Sequence, residues 1–265
     1  MQRRNQVKRS GNGKHVGLAR ALSKMGYCSR SRAAKLIRGG HVRLNGAISR
    51  DQEAPVRLGS DRVDVHGAAV AFAQKIYLML NKPRGLVTTA SDEKGRGTVY
   101  ECLDHGPPWL GSVGRLDKAS EGLLLMTNDT AWAGRITAPE THLDKTYHVQ
   151  VNTVVDEAVL DAMRRDVKVG RGGELRAKRV DVLRRGERNS WLVVTLDEGR
   201  NRHIRRMLDA LGLDVLRLVR VSIGPLVLGD LAKGAYRALT AEEKKAMDAA
   251  MRLSSARGQG MERAS

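Results

Sequence analysis

The stretch that decides the fold is residues 114–129, with the sequence GRLDKASEGLLLMTND. Its first half is a glycine-bounded basic turn that carries one acid, Asp117. Its second half contains a continuous apolar run at 123–127, which is typical of a strand buried on both faces. A carboxylate on such a turn is held by a rigid strand while it faces a cleft. By residue type alone, however, an aspartate in a turn is more often a cap or a turn former.

The charge of the chain indicates the kind of partner it meets. Its 265 residues include 47 Lys and Arg against 29 Asp and Glu, a net charge of +18. Such an excess indicates a polyanion, with nucleic acid as the default, while a membrane-surface patch or a solubility surface is the alternative. No apolar run reaches membrane-spanning length, and the two cysteines, Cys28 and Cys102, give no disulfide framework. We expect a soluble, cytoplasmic protein with no membrane partner.

The N-terminal part predicts a small basic domain. Residues 1–14 are basic and nearly devoid of apolar side chains, so we expect a disordered tail, either an RNA-contacting arm or a solvated segment. Residues 15–67 predict two short amphipathic helices and then a hairpin around Asn45-Gly46. Five basic residues of the second helix and its flank are candidate phosphate contacts: Arg30, Arg32, Lys35, Arg38 and Arg43. A solvated basic helix face is the alternative interpretation.

The rest of the chain predicts a larger domain. Residues 68–75 are small and weakly patterned, as in a linker, and 253–265 are expected to be disordered. Between them, 76–252 contain strands and helices in mixed order. Strands are predicted at 76–80, 123–127, 145–151, 191–196 and 215–221, and helices at 130–137, 156–165 and 203–211. Thr240 and Glu243 form a capping box that begins a final helix.

Three motifs of this larger domain, together with the N-terminal pattern, resemble a known family. They are residues 114–129, Lys145-Thr146-Tyr147 and the EGRNRHIRRM run at 198–207. They resemble the RsuA/RluB/RluE/RluF family of bacterial ribosomal RNA pseudouridine synthases, and residues 15–67 resemble the S4 RNA-binding domain. The resemblance implies an α+β fold: a small S4-like α/β domain, then a catalytic domain at 76–252 with a mixed, mostly antiparallel sheet flanked by helices.

The resemblance also implies an activity. It implies site-specific conversion of uridine to pseudouridine in ribosomal RNA by a monomer, with no cofactor and no metal. The substrate is ribosomal RNA, either free or within a pre-ribosomal particle. The runs at 198–207 and 223–231 are similar to large-subunit members, whereas those at 80–83 and 124–132 resemble the small-subunit type, and on balance 23S RNA is favoured over 16S RNA. Two other classes of protein share the charge: a non-catalytic ribosome-assembly factor on the same scaffold, and a DNA-binding protein.

Individual residues take roles from the motif positions they match. The resemblance implies that Asp117 is the nucleophile, that Tyr147 stacks on the target base and moves a proton, and that Arg205 pairs with Asp117 and orients it. Tyr147 has the alternative of a ring in the core, and His203 stands where many members have glutamine. Five further basic residues are expected to contact RNA: Lys82, Arg84, Arg115, Arg202 and Arg206. For Arg115 the family offers a second role, filling the space left by a flipped base.

Overall fold

The computed structural model describes residues 15–89, 95–103, 109–170 and 173–262, with side chains up to Arg252. The predicted basic tail, 1–14, lies outside these residues. The chain divides between Gln74 and Lys75 into two compact units. Among the described residues, no helix is both long and apolar enough to span a membrane.

The N-terminal unit consists of two helices and short strands. Asn45 and Gly46 have φ angles of 51° and 88°, as the predicted two-residue hairpin turn requires. Ala68–Ala69 pairs with Val63–Val65, so the segment predicted as a linker begins inside a hairpin of this unit. The elements are α1 (Leu18–Lys24), α2 (Arg30–Arg38), β1 (Val16–Gly17), β2 (Val42–Leu44), β3 (Ala47–Ile48), β4 (Pro55–Val56), β5 (Val63–Val65) and β6 (Ala68–Ala69).

The second unit is built on one large sheet with helices packed against it. Its strands are β7 (Tyr77–Lys82), β8 (Gly111–Val113), β9 (Glu121–Thr127), β10 (Lys145–Val151), β13 (Arg179–Arg185), β14 (Ser190–Leu196), β15 (Val215–Ile223), β16 (Leu226–Val227) and β17 (Tyr236–Ala238). A separate hairpin is formed by β11 (Val167–Lys168) and β12 (Glu174–Leu175). The helices are α3 (Thr130–Thr137), α4 (Glu157–Arg164), α5 (His203–Ala210) and α6 (Ala241–Glu262).

The strand order of this sheet is β13-β14-β10-β15-β9-β7-β17, with β16 beside β15 and β8 beside β9. The pairing of β15 with β9 is parallel, whereas the other pairings in the sheet are antiparallel. The predicted α+β class with a mixed, mostly antiparallel sheet is therefore confirmed. All seven residues of β9 are buried, as its apolar sequence predicts.

The parallel pairing brings two backbones unusually close at Gly122. Gly122 lies opposite Arg220 and has a φ of +99°, in the region that favours glycine. A Cβ atom at this position would stand 2.2 Å from the Arg220 carbonyl oxygen. Gly122, the second glycine of the 114–129 stretch, is thus required by the junction of β9 and β15.

Three element boundaries differ from those predicted. The strand predicted at 76–80, which is β7, continues to Lys82. Asn81 is buried there, and its side-chain amide donates to the Leu231 carbonyl at 2.7 Å. β13 was not predicted, since its charged, exposed sequence carries little apolar alternation. α6 continues to Glu262 although disorder was predicted from 253, a segment that contains several good helix formers.

Candidate active site

Asp117 lies in the turn that joins β8 to β9. Gly114 opens the turn with a φ of +71°, and the Ser120 N–H donates to the Asp117 carbonyl at 3.0 Å. The neighbouring side chain of Leu116 is buried, whereas the Asp117 side chain keeps 29% of its surface exposed. The turn therefore fixes the backbone of Asp117 while its carboxylate stays accessible.

Lys82 anchors this turn from within the protein. It is fully buried at the end of β7, and its Nζ donates to the carbonyls of Ser120 at 2.8 Å, Pro83 at 3.1 Å and Asp117 at 3.2 Å. Burial lowers the pKa of Lys82 to about 8, although the nearby Asp117 charge opposes this shift. The prediction that Lys82 contacts RNA is wrong, because its ammonium group is enclosed among backbone carbonyls.

A second set of bonds holds the turn from the segment after β7. The Thr88 hydroxyl donates to the Leu116 carbonyl at 2.7 Å and accepts from the Leu116 N–H at 3.3 Å. The Gly85 N–H donates to the Lys118 carbonyl at 2.8 Å. No sequence signal marked Thr88, since a single threonine in a loop carries no pattern. The backbone on both sides of Asp117 is thus fixed before any substrate arrives, as a catalytic group requires.

The buried position of Lys82 predicts a pH-dependent stability. Its folded pKa of about 8 lies below its ordinary value of 10.5, so between these pH values the unfolded chain binds more protons. We expect the free energy of unfolding of the wild type, measured relative to Lys82→Met, to be constant below pH 8. It should then rise with pH up to 10.5, because the cost of burying the charge is relieved. Urea titrations of both proteins across this range measure the difference, and a flat difference would contradict the assignment.

Asp117 belongs to a group of charges that also contains three arginines. Arg202, the residue that precedes α5, places its Nη1 3.9 Å from Oδ2 of Asp117. Burial lowers the pKa of Arg205, and the charges of Arg202 and Arg84 lower it further while that of Asp117 opposes them, so these four charges are neighbours. The net positive charge of this group attracts an anionic ligand.

The pairing within this cluster differs from the prediction for Arg205. Its Nη2 donates to the Ala119 carbonyl at 3.1 Å and its Nη1 to the Val215 carbonyl at 3.4 Å. Arg205 therefore holds the backbone of the turn, and Arg202 makes the ion pair with Asp117. The reason is position: Arg205 is half-buried one turn into α5, whereas Arg202 stands exposed at its start with a φ of 50°.

Tyr147 lies on β10, two strands from the beginning of β9. It is opposite Val194 on one side and Arg220 on the other, and Arg220 in turn is opposite Gly122. Its half-buried ring packs against two of the three apolar clusters that the described residues of this unit form, one of which contains Leu116. The ring thus contributes to the core and also borders the turn of Asp117.

Comparison with known proteins identifies the family of the chain. A family model for RNA pseudouridylate synthase matches residues 76–210, and a model for the S4 domain matches residues 16–63. The chain belongs to the RNA pseudouridine synthase family. It is 34% identical over 233 residues to ribosomal large subunit pseudouridine synthase B of Bacillus subtilis, covering 88% of this chain and 95% of the relative.

Two further matches agree with this membership of the pseudouridine synthases. An uncharacterized RNA pseudouridine synthase of Aquifex aeolicus is 36% identical, over 86% of this chain and 92% of its own. The crystal structure of a pseudouridylate synthase aligns with a TM-score of 0.62 and 31% identity, covering 88% of this chain and 99% of the other. The similarity extends over both units of the chain.

His203 has a structural position in this synthase. It is buried at the start of α5, and its Nε2 is 3.0 Å from the Arg176 carbonyl oxygen. Burial lowers the pKa of His203, which the hydrogen bond to Arg176 only partly offsets. The side chain that replaces the glutamine of many family members therefore faces the protein interior, away from the arginine cluster.

The remaining basic candidates differ in exposure. Arg84 and Arg115 are exposed beside the turn of Asp117, and Arg206 is half-buried on α5. In the S4 domain, Ala33 and Ile37 fill the buried side of α2 while the basic residues lie outside. The exposed set is Arg30, Arg32, Lys35, Arg38 and Arg43. Their contact with RNA stays a prediction.

Proposed function

We propose that this synthase converts a specific uridine of ribosomal RNA, in the large subunit, to pseudouridine, with Asp117 as the nucleophile and without a cofactor. The observation that carries the proposal is the accessible carboxylate of Asp117 on a turn fixed by Lys82 and Thr88, 3.9 Å from Arg202. The name of the Bacillus relative, which specifies the large subunit, supports the choice of substrate.

The reaction needs only groups of the chain and the RNA. The bond between ribose carbon 1′ and uracil N1 breaks while Asp117 attacks carbon 1′ or stabilises the charge that develops there. The detached base turns and carbon 5 bonds to carbon 1′, displacing Asp117 where its carboxylate has bonded there. The proton on carbon 5 is released to solvent and N1 takes up a proton, so the base returns to its neutral form. Atoms and electrons balance without an oxidant or reductant, so no redox cofactor is required.

The neighbours of Asp117 have complementary roles in this proposal. Arg202 directs the carboxylate through their ion pair, and Arg84 with Arg205 adds positive charge that attracts the phosphates beside the target nucleotide. Tyr147 offers a ring face to the base and a hydroxyl for proton transfer. Arg115 either contacts phosphate or fills the place of the base after it leaves the stack.

The partners and location follow from the substrate. Ribosomal RNA, free or in a pre-ribosomal particle, requires a cytoplasmic enzyme, and the two unpaired cysteines suit that reducing compartment. The fixed turn and its surrounding residues all come from one chain, so a monomer suffices for the reaction.

Tritium release tests the function. The purified full chain is incubated with 23S or 16S ribosomal RNA that carries tritium on carbon 5 of uridine. We expect release from 23S RNA alone, since the bond to that hydrogen breaks only on isomerisation. Release from 16S RNA alone would overturn the choice of subunit. Absence of release from both RNAs and from pre-ribosomal particles, with binding retained, would favour the assembly factor.

Substitutions of Arg202 and of Arg205 are expected to have different effects on activity and stability. Arg202→Ala should lower kcat/KM by about 10- to 100-fold with little change in melting temperature, because it removes one partner of an accessible ion pair. Arg205→Ala should lower both kcat/KM and the melting temperature, because it removes the guanidinium that donates to the carbonyls of Ala119 and Val215. Tritium release and thermal denaturation of each variant measure the split, and Arg202→Lys should restore part of the activity. Equal melting temperatures for the two variants would contradict this division of roles.

A further inference from the structure

We infer that the sheet face opposite α4 and α5 is a second RNA-contacting surface, centred on Arg184, Trp191 and Arg217. The inference rests on the proposed function only in taking RNA as the partner. It concerns RNA that flanks the target site, because this face is turned away from the side chain of Tyr147. We call this group of three residues the back-face row.

Strand register places the row on one face. Arg184 of β13 lies opposite Trp191 of β14, Trp191 lies opposite Gln150 of β10, and Gln150 lies opposite Arg217 of β15. The strand neighbours of Trp191, Gln150 and Arg217 point the other way, into the core that α4 and α5 cover. Those buried neighbours are Leu192, Val149, Val151 and Leu218. Because side chains alternate along a strand, Trp191 and Arg217 point away from that core. The pairing of β13 with β14 has a register shift between Val182 and Arg184, and the contact of Arg184 with the Trp191 ring places it on the same face.

Cation–π contacts order the row before any ligand binds. The guanidinium carbon of Arg184 is 5.3 Å from the centroid of the Trp191 ring, and that of Arg217 is 5.8 Å away. Trp191 is half-buried and Arg184 is exposed. A guanidinium stacked on an aromatic ring still directs its N–H groups outward, where they suit the oxygens of a phosphate. A guanidinium plane or an indole ring also stacks on an unpaired base.

The charge of the surface is positive where the row ends at β9. The buried carboxylate of Glu121 accepts from Arg217 at 2.8 and 3.1 Å and lies 2.7 Å from Nζ of Lys233. One carboxylate is thus shared by two cations, and Arg184 adds a third. Earlier on β13, Asp181 is already paired with a cation, since its Oδ2 lies 2.7 Å from Nε of Arg179. This excess of guanidinium groups is complementary to a polyphosphate backbone.

Binding of ribosomal RNA to Arg184 variants tests the inference. The wild type, Arg184→Ala, Arg184→Lys and Arg165→Ala are titrated into transcribed 23S RNA at several salt concentrations. Arg165 is the matched control, an exposed arginine at the end of α4 on the other side of the sheet. We expect Arg184→Ala to weaken binding about three- to ten-fold, with a salt dependence shallower by about 0.7. Arg184→Lys should be intermediate, because it keeps the charge and loses the stacking plane.

The outcomes separate RNA from other partners. Equal affinity and salt dependence for Arg184→Ala and Arg165→Ala would overturn the inference. So would a defect that occurs only with pre-ribosomal particles and not with naked RNA, since it would assign the row to a ribosomal protein. Circular dichroism of each variant excludes unfolding as the cause of weak binding. Failure of the wild type to release tritium would remove the proposed function and leave this binding comparison intact.

Discussion

Asp117→Ala is expected to lower turnover by about four orders of magnitude or more, while RNA affinity and folding change little. Among the residues that the structure describes, this carboxylate is the one acid in the cluster with Arg202, Arg205 and Arg84. Its backbone is held through carbonyls by Lys82, so removal of the side chain leaves the turn in place. RNA binding should persist or strengthen, because one negative charge leaves a cationic site. Asp117→Asn separates charge from shape and should be equally inactive.

Asp209→Asn is the matched control for this loss. Asp209 is an exposed acid near the end of α5, the helix that carries Arg205, and its replacement removes the same charge from the same region. Its turnover should equal that of the wild type. Tritium release under single-turnover conditions and filter binding of the same RNA give the two readouts. Turnover retained by Asp117→Asn would remove the nucleophile assignment, and loss of binding together with turnover would make Asp117 a binding residue.

Gly122→Ala is expected to destabilise the catalytic unit by about 4 kcal/mol or more, enough to prevent folding of a domain of ordinary stability. The added methyl group would meet the Arg220 carbonyl oxygen at 2.2 Å and its nitrogen at 2.8 Å, both of them backbone atoms. These atoms cannot move without separating β15 from β9, a pairing in the middle of the sheet. The backbone of Gly122 must also leave a φ of +99° that alanine disfavours.

The cost of the φ angle is isolated by Gly212→Ala. Gly212 follows α5 with a φ of +74°, and a Cβ atom there would meet nothing within 4 Å. This variant should lose only about 1 kcal/mol. Denaturant titrations of both proteins provide the comparison, with the soluble fraction after expression as the readout if Gly122→Ala does not fold. Similar losses for the two variants would show that the junction of β9 and β15 can adapt.

The sequence predicted the fold class, the order of the main elements and the position of Asp117, because these rest on local patterns. Apolar runs, the Asn45-Gly46 turn and the 114–129 stretch each carry their own signal. The sequence could not distinguish Arg202 from Arg205, since both belong to the same basic run at 198–207 and no local pattern shows that α5 begins between them. Nor could it reveal the enclosure of Lys82, because a lysine after a strand is ordinarily exposed. Both errors concern contacts between residues far apart in the chain.

The back-face row shows the same limit. Arg184, Trp191 and Arg217 lie on three different strands, and one of these, β13, carries a sequence that does not resemble a strand. Their proximity depends on the register of β13-β14-β10-β15, which no local pattern specifies. A surface assembled across a sheet becomes visible only when the strands are aligned.

The parallel junction of β9 and β15 has a consequence for biosynthesis. Arg220 donates from Nε to the Leu123 carbonyl at 2.7 Å, and these residues are 97 positions apart in the chain. Arg202 and Arg205 likewise follow Asp117 by more than eighty positions. A nascent chain that has emerged only through β9 therefore carries Asp117 and Arg84 without Arg202, Arg205 or the partner strand. Formation of the site must therefore await synthesis of α5 and β15, so the acid and its later cations meet only after folding has brought together distant parts of the chain.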